Sequence, residues 1–272
     1  MTIPATGTSW RAGGFGDVDS RFNSRGGLAA ILIRENRGAA TNISPWKVDT
    51  PSPTRNWSPF AEDGTPRDDL FAHILVNGDW ITNPEPNEGF HLIGALSEDG
   101  GPERSPEINN DNQMILQSNM PFDTDLTSES LSINFTGVET VKPLLKRLRM
   151  NLSINDANGN SICEDPGTEN FVLGKPLDVE APEYQILLMF ARRKKGKFFY
   201  YAEGYSLCKL SDIGSFKRSK TDPDAGSLGY TVLPDPYFVG KDPNDPTSNE
   251  LIPLYYAEWV DGESWTDIKG AS

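Results

Sequence analysis

The chain has 272 residues, enough for one large or two small domains, and its 39 acidic against 25 basic side chains give a net charge of −14. That balance excludes a general affinity for DNA, RNA or anionic membranes, which depends on clustered Lys and Arg displacing phosphate counterions; touching DNA without holding it stays open. The two cysteines, Cys163 and Cys208, are too few for a disulfide scaffold and fit no metal-ligand spacing, so reduced thiols are expected.

The opening MTIPATGTSWRAGG has no apolar run behind a basic start, and LAAILI (28–33) is far shorter than the ~20 residues that span a bilayer. No secretion leader and no membrane contact are expected, and folding in a cytoplasm is the default. Residues 1–69 are rich in Gly, Pro, Ser, Asn and Arg, with Pro45, Pro51, Pro53, Pro59 and Pro66 breaking regular structure; only 28–34 reads as ordered. This predicts an extended N-terminal arm. Its Trp10, Phe15, Phe22, Trp46 and Trp57 predict docking, since a spacer has no use for large rings.

Residues 70–272 form the expected folded domain. FAHILVNGDWIT carries Asn77-Gly78 between two β-prone runs, which predicts a type I′ hairpin because both central positions need positive φ. Residues 91–96 read as a strand running into a turn at 98–102, and 111–119 and 128–136 read as a pair. In the latter, Leu131, Ile133 and Phe135 alternate with Ser130, Ser132 and Asn134, one face for a core and one for water. Val141, Leu144, Leu145 and Leu148 then fall on one helical stripe. Thr140 is the favoured N-cap, which leaves Pro143 in the first turn; Thr136 with Glu139 as a capping box would place the proline deeper. Residues 184–191 and 198–207 predict a long hairpin around the basic turn 192–197, and 229–233 and 254–260 predict two more strands. The fold class is mainly β (α+β), with one principal helix.

No catalytic residue, cofactor or metal ligand is expected. His73 and His91, the only histidines, both lie in predicted strands, where a structural role outweighs that of a base. Gly13-Gly14-Phe15-Gly16 lacks the spacing of a dinucleotide loop. Asp156-Ala157-Asn158-Gly159-Asn160 begins like a calcium loop, but Ser161 stands where the turn needs Gly and Gly167 where a bidentate Glu should close the shell, so an Asx turn is expected. The basic group Lys142, Lys146, Arg147 and Arg149 and the turn 192–197 read as solvated faces, with docking onto the acidic surface of a second copy as the alternative.

The order of elements is familiar. LIGALSEDGGPERSPEINNDN, then NMPFDTDLTSESLSINFTGVET, then VKPLLKRLRM resembles the major tail proteins that build the tail tube of long-tailed bacteriophages. In that family a strand ends in a glycine and a Ser-Glu-Asp-Gly turn, a polar strand meets a Thr/Ser-rich partner, and a Glu-Thr opens the helix. The matching positions are 92–94, 97–100, 110–118, 126–136 and Glu139-Thr140, and YQILLMFARRKKGKFFYYAEG resembles the family's second long hairpin. The likeness spans roughly 70–260, and the 1–69 arm is longer than the family's start.

The resemblance implies a β-sandwich with a flanking helix, in subunits that form hexameric rings stacked into the tail tube of a virion. DNA passes transiently through such a tube, and its other partners are the tape measure, terminator and distal tail proteins. Ser130, Ser132 and Asn134 are candidates for the channel wall, with Asp123 and Asp125 beside them on a connecting loop. Met120, Pro121 and Phe122, the arm with Trp10, Phe15 and Phe22, and Tyr255, Tyr256, Trp259 and Trp265 are candidate contacts between subunits or rings. A tail terminator or distal tail protein of the same fold is the nearest alternative; a carbohydrate-binding module or an Asp/Glu hydrolase is more remote.

Overall fold

The computed structural model describes residues 27–114, 116, 120–163, 172–178, 180–194, 196–216, 220, 224–245 and 247–269. In chain order the strands are β1 (Leu28–Glu35), β2 (Trp46–Lys47), β3 (Thr54–Arg55), β4 (His73–Val76), β5 (Asp79–Thr82), β6 (His91–Leu92), β7 (Glu103–Gln113) and β8 (Asp123–Thr136). Helix α1 (Pro143–Arg149) follows, then β9 (Glu183–Lys194), β10 (Lys197–Ile213), β11 (Ser227–Val232), β12 (Val239–Lys241), β13 (Leu251–Pro253), β14 (Ala257–Asp261) and α2 (Glu263–Lys269). The protein is mostly β.

One antiparallel sheet runs β6-β1-β9-β10-β11-β8-β7, and β14 also pairs with β10. Strand β10 changes neighbour along its length: Tyr200–Gly204 pair with β14, whereas Cys208–Ile213 pair with β11. Register shifts at Tyr205/Cys208 and Leu210/Asp212 mark the change, as expected where extra residues bend a strand. The sheet curls as a result. In a flat sheet β7 would lie about 14 Å from β10, three strand spacings away, yet Arg104 Nη1 on β7 comes within 3.8 Å of Glu203 Oε1 on β10.

The curl wraps the larger core. Ile31, Ile33, Tyr184, Ile186 and Tyr205 meet Leu131, Ile133, Phe135, Leu228 and Tyr230, and α1 adds Leu144, Leu145 and Leu148. On the opposite face of the sheet, Leu32, Leu187 and Ala202 pack beneath Ile43, Trp57, Phe60, Leu70, Phe90 and Phe238.

That second core revises the expected arm. Residues 1–26 lie outside the described residues, but from Leu28 the chain supplies β1, held between β6 and β9 with Ile31, Leu32 and Ile33 fully buried. The rest, up to 69, lays Ile43, Trp57 and Phe60 on the sheet's outer face. Glu88 ties it down: its carboxylate takes Arg34 Nη1 at 3.0 Å, Arg67 Nη2 at 2.7 Å and Trp57 Nε1 at 3.0 Å. Arg34 also donates to Gln185 Oε1 at 2.7 Å and to the Thr41 carbonyl at 2.8 Å. Burial lowers its pKa to about 10, against the pull of Glu88, and the guanidinium stays charged at neutral pH. Trp57 and Phe60 thus serve the chain's own core, whereas Trp46 is half-buried with the Lys241 ammonium 4.6 Å from its ring.

Local expectations fare unevenly. The Asn77-Gly78 hairpin forms as β4 and β5, with φ of 54° and 95° at its two central residues. The long hairpin forms as β9 and β10, and extends six residues past 207. Helix α1 starts later than expected, with Pro143 at its first position and Lys142 rather than Thr140 as the capping residue, and no side chain caps it. Pro143 sets that start, since its fixed φ suits the first turn and its missing N–H would be unpaired there anyway. Val141 therefore leaves the apolar stripe and is 73 % exposed. A second helix of equal length, α2, closes the described chain.

Candidate assembly surface

The paired strands β7 and β8 contain both halves of the candidate site. Their register runs from Glu103↔Asn134 to Gln113↔Asp123, so the polar partner strand lies at 103–113 rather than 111–119. The run PEINNDNQ shows no alternation of its own, and only pairing with β8 makes it a strand. Pro106 fits there because β7 is the sheet's terminal strand, where a missing N–H costs no ladder bond.

Near the sheet, β8 alternates as expected: Leu131, Ile133 and Phe135 are buried, while Ser130, Ser132 and Asn134 are half-buried on the other face. Ser132 lies opposite both Ser105 and Thr231, Thr231 opposite Lys209, and Lys209 opposite Glu183, with which it pairs at 2.9 Å. Directly opposed residues share a face, so one polar stripe crosses five strands.

Farther out the two strands leave the sheet. Strand β11 pairs with β8 only from Ser132 to Thr136, so among the described residues β7 is the sole strand neighbour of 123–131. Glu107–Gln113 and Asp123–Glu129 are exposed throughout. Asp123 and Asp125 thus stand in the strand rather than on a loop, and Asp125 lies opposite Asp111. Opposed like charges weaken a ladder, and an isolated two-stranded ribbon is marginal in water to begin with. This ribbon also exposes large apolar side chains: Ile108 at 60 %, Leu126 at 62 %, Phe122 at 70 % and Met120 at 74 %. Pro121, between the last two, is exposed as well. Five carboxylates and no Lys or Arg lie between 105 and 136. So many large apolar side chains left exposed on one projecting element make the ribbon the candidate contact surface.

Arg104 anchors the ribbon's base. It reaches Glu258 Oε1 at 3.2 Å and lies 5.1 Å from the Tyr256 ring, besides its contact with Glu203. Burial works against its charge, but the two carboxylates outweigh it and raise its pKa. Glu203 is itself buried and accepts hydroxyl hydrogens from Tyr201 and Tyr205.

The remaining candidates lie elsewhere. Trp259 packs into the second core, 5.4 Å from Trp57 in an edge arrangement, and Trp265 on α2 meets Phe199 at 6.4 Å. Tyr255 and Tyr256 are partly buried against the main core. All four therefore have partners within their own chain, because β14 is a sheet strand rather than a free tail. Trp10, Phe15 and Phe22 fall outside the described residues. Much of the basic charge is engaged within the chain too: Arg147 donates to the Ser153 carbonyl, Arg149 to the Asp224 carbonyl and Lys197 to Asp267.

His73 and His91 stack with ring centres 6.0 Å apart. Burial first, then the neighbouring His73 and Lys142, lowers the His91 pKa to about 4, so its ring is neutral at pH 7. Burial pushes the Cys163 thiol up to about 12. The Asp156 carboxylate accepts from the backbone N–H groups of Asn158 and Asn160 at 2.9 and 2.8 Å, an Asx turn. Among the described residues no group of three or more His, Cys, Asp or Glu is placed to hold a metal ion, and no helix is long and apolar enough to cross a membrane. No protein-family model matches the chain, and no curated protein matches it in sequence.

Proposed function

We propose that this protein is a structural subunit that polymerises into a phage-type tail tube, its copies forming hexameric rings that stack around a channel for DNA. The observation that carries the reading is the β7–β8 ribbon, which projects from the sheet with an exposed apolar and acidic surface. A curled sheet folded over one core, flanked by α1, suits the β-sandwich of such subunits. The half-buried stripe of Ser130, Ser132 and Asn134 is the proposed channel wall. A wall whose Lys209 is already paired with Glu183 offers phosphates few salt-sensitive holds, so DNA slides rather than binds.

Negative-stain electron microscopy of the purified protein over a range of concentrations tests this. Stacked annuli or tubes are expected; single compact particles under every condition would sink it. A tail terminator of the same fold would instead stop at one ring. A sugar-binding role loses its best candidate platform, since Trp259 and Trp265 pack against Trp57 and Phe199. In a virion the protein would adjoin the tape measure, terminator and distal tail proteins.

A further inference from the structure

A cleft of about 360 Å³ opens where the chain enters α1. Trp80, Leu92, Val141, Pro143 and Leu144 give it apolar walls, and Lys142 lies across one side, its ammonium 5.0 Å from the Trp80 ring and 3.7 Å from the carboxylate of Glu139, which also lines the cleft. The adjoining helix carries Lys146, Arg147 and Arg149 and no acidic residue. The ribbon tip has the opposite character: Phe122 is exposed, and Asp123 and Asp125 follow it with no cation near in sequence. Net charge of the two features is complementary: Lys142, Lys146, Arg147 and Arg149 outnumber Glu139 around the cleft, against Asp123 and Asp125 at the tip.

A single copy cannot join them. Asp123 begins β8 and Thr136 ends it just before the cleft, so 13 residue steps hold tip and cleft about 43 Å apart along a strand. A contact between different patches on successive copies is heterologous, and it propagates into rings or open filaments instead of closing as a dimer.

We propose that the β7–β8 tip of one copy seats Phe122 in the cleft beside α1 of the next, with Asp123 and Asp125 facing that helix. This rests on the self-assembly reading and names its contact. It places Val141, exposed and without a place in either core, on the rim of an interface.

Replacing Phe122 with photoreactive p-benzoylphenylalanine, irradiating the concentrated full-length protein and mapping the cross-linked peptides tests the contact. Cross-links into 138–144 of a second copy are expected, and Val141→Glu should weaken association by roughly tenfold or more while the exposed Val48→Glu leaves it unchanged. A circular-dichroism melt confirms that both variants fold. Cross-links that map elsewhere, or equal effects of the two glutamates, would overturn the contact even if tubes form. Cross-links at 138–144 in particles that never become tubes would keep the contact and remove the tube. With no association at all, both fall.

Discussion

His91 is one of two histidines, so comparing wild type with His91→Gln identifies its NMR signal and lets its protonation be followed. It faces His73 from β4 and Lys142 from the segment before α1, both adding positive charge on protonation or already carrying it. Its folded-state pKa of about 4 lies below the ordinary 6.5, so between those values the unfolded chain takes up the proton first. The stability from its neutral ring is present above pH 6.5 and is lost as pH falls toward 4, in total about 3 kcal/mol. Denaturation of wild type and His91→Gln at pH 7 and pH 4 checks this: the variant should lack that increment of acid sensitivity. Glu88 makes a sharper case. Glu88→Ala leaves Arg34, only 5 % exposed, without its carboxylate, and should cost about 3–5 kcal/mol in the same assay.

At the scale of one element, β8 divides into halves with opposite duties. Ile133 is fully buried between the faces of the curled sheet, so Ile133→Ala should lower stability by about 2–5 kcal/mol, read from the denaturant midpoint. Leu126 has one strand neighbour and water, so Leu126→Ser should change monomer stability by less than about 0.5 kcal/mol. Sedimentation should nonetheless show Leu126→Ser associating more weakly, and an unchanged sedimentation profile would deny the ribbon its role. The reason lies in pairing: β11 supports the strand only from Ser132 onward.

For the whole molecule, net charge and its placement set behaviour toward nucleic acid. With a charge of −14, and no cation from 105 to 136, the assembled protein should fail to retard double-stranded DNA in a gel at about 50 mM salt, where phosphate contacts are strongest. A salt-sensitive shift would contradict a channel that lets DNA pass. Charge of this size also opposes self-association through mutual repulsion, so the docking surface must be apolar enough to overcome it.

Local chemistry settled what could be read from neighbours in the chain. The Asn77-Gly78 turn, the Asp156 turn, the alternation along 130–136 and the hairpin around 192–197 each depend on a few adjacent residues, and each formed. Gly94 and Glu139 meet through a contact no spacing reveals: Glu139 accepts the Ala95 N–H at 2.9 Å beside a Gly94 with φ of 101°. Long-range pairing decided the rest. A proline-broken segment became part of a core because Glu88 and the outer face of β1 and β9 gave its rings a place to bury. A run of polar residues became a strand because β8 offered it a ladder. Composition records how much apolar surface a chain holds, whereas only the folded chain determines which of it finds cover and which, as at Phe122, stays in water.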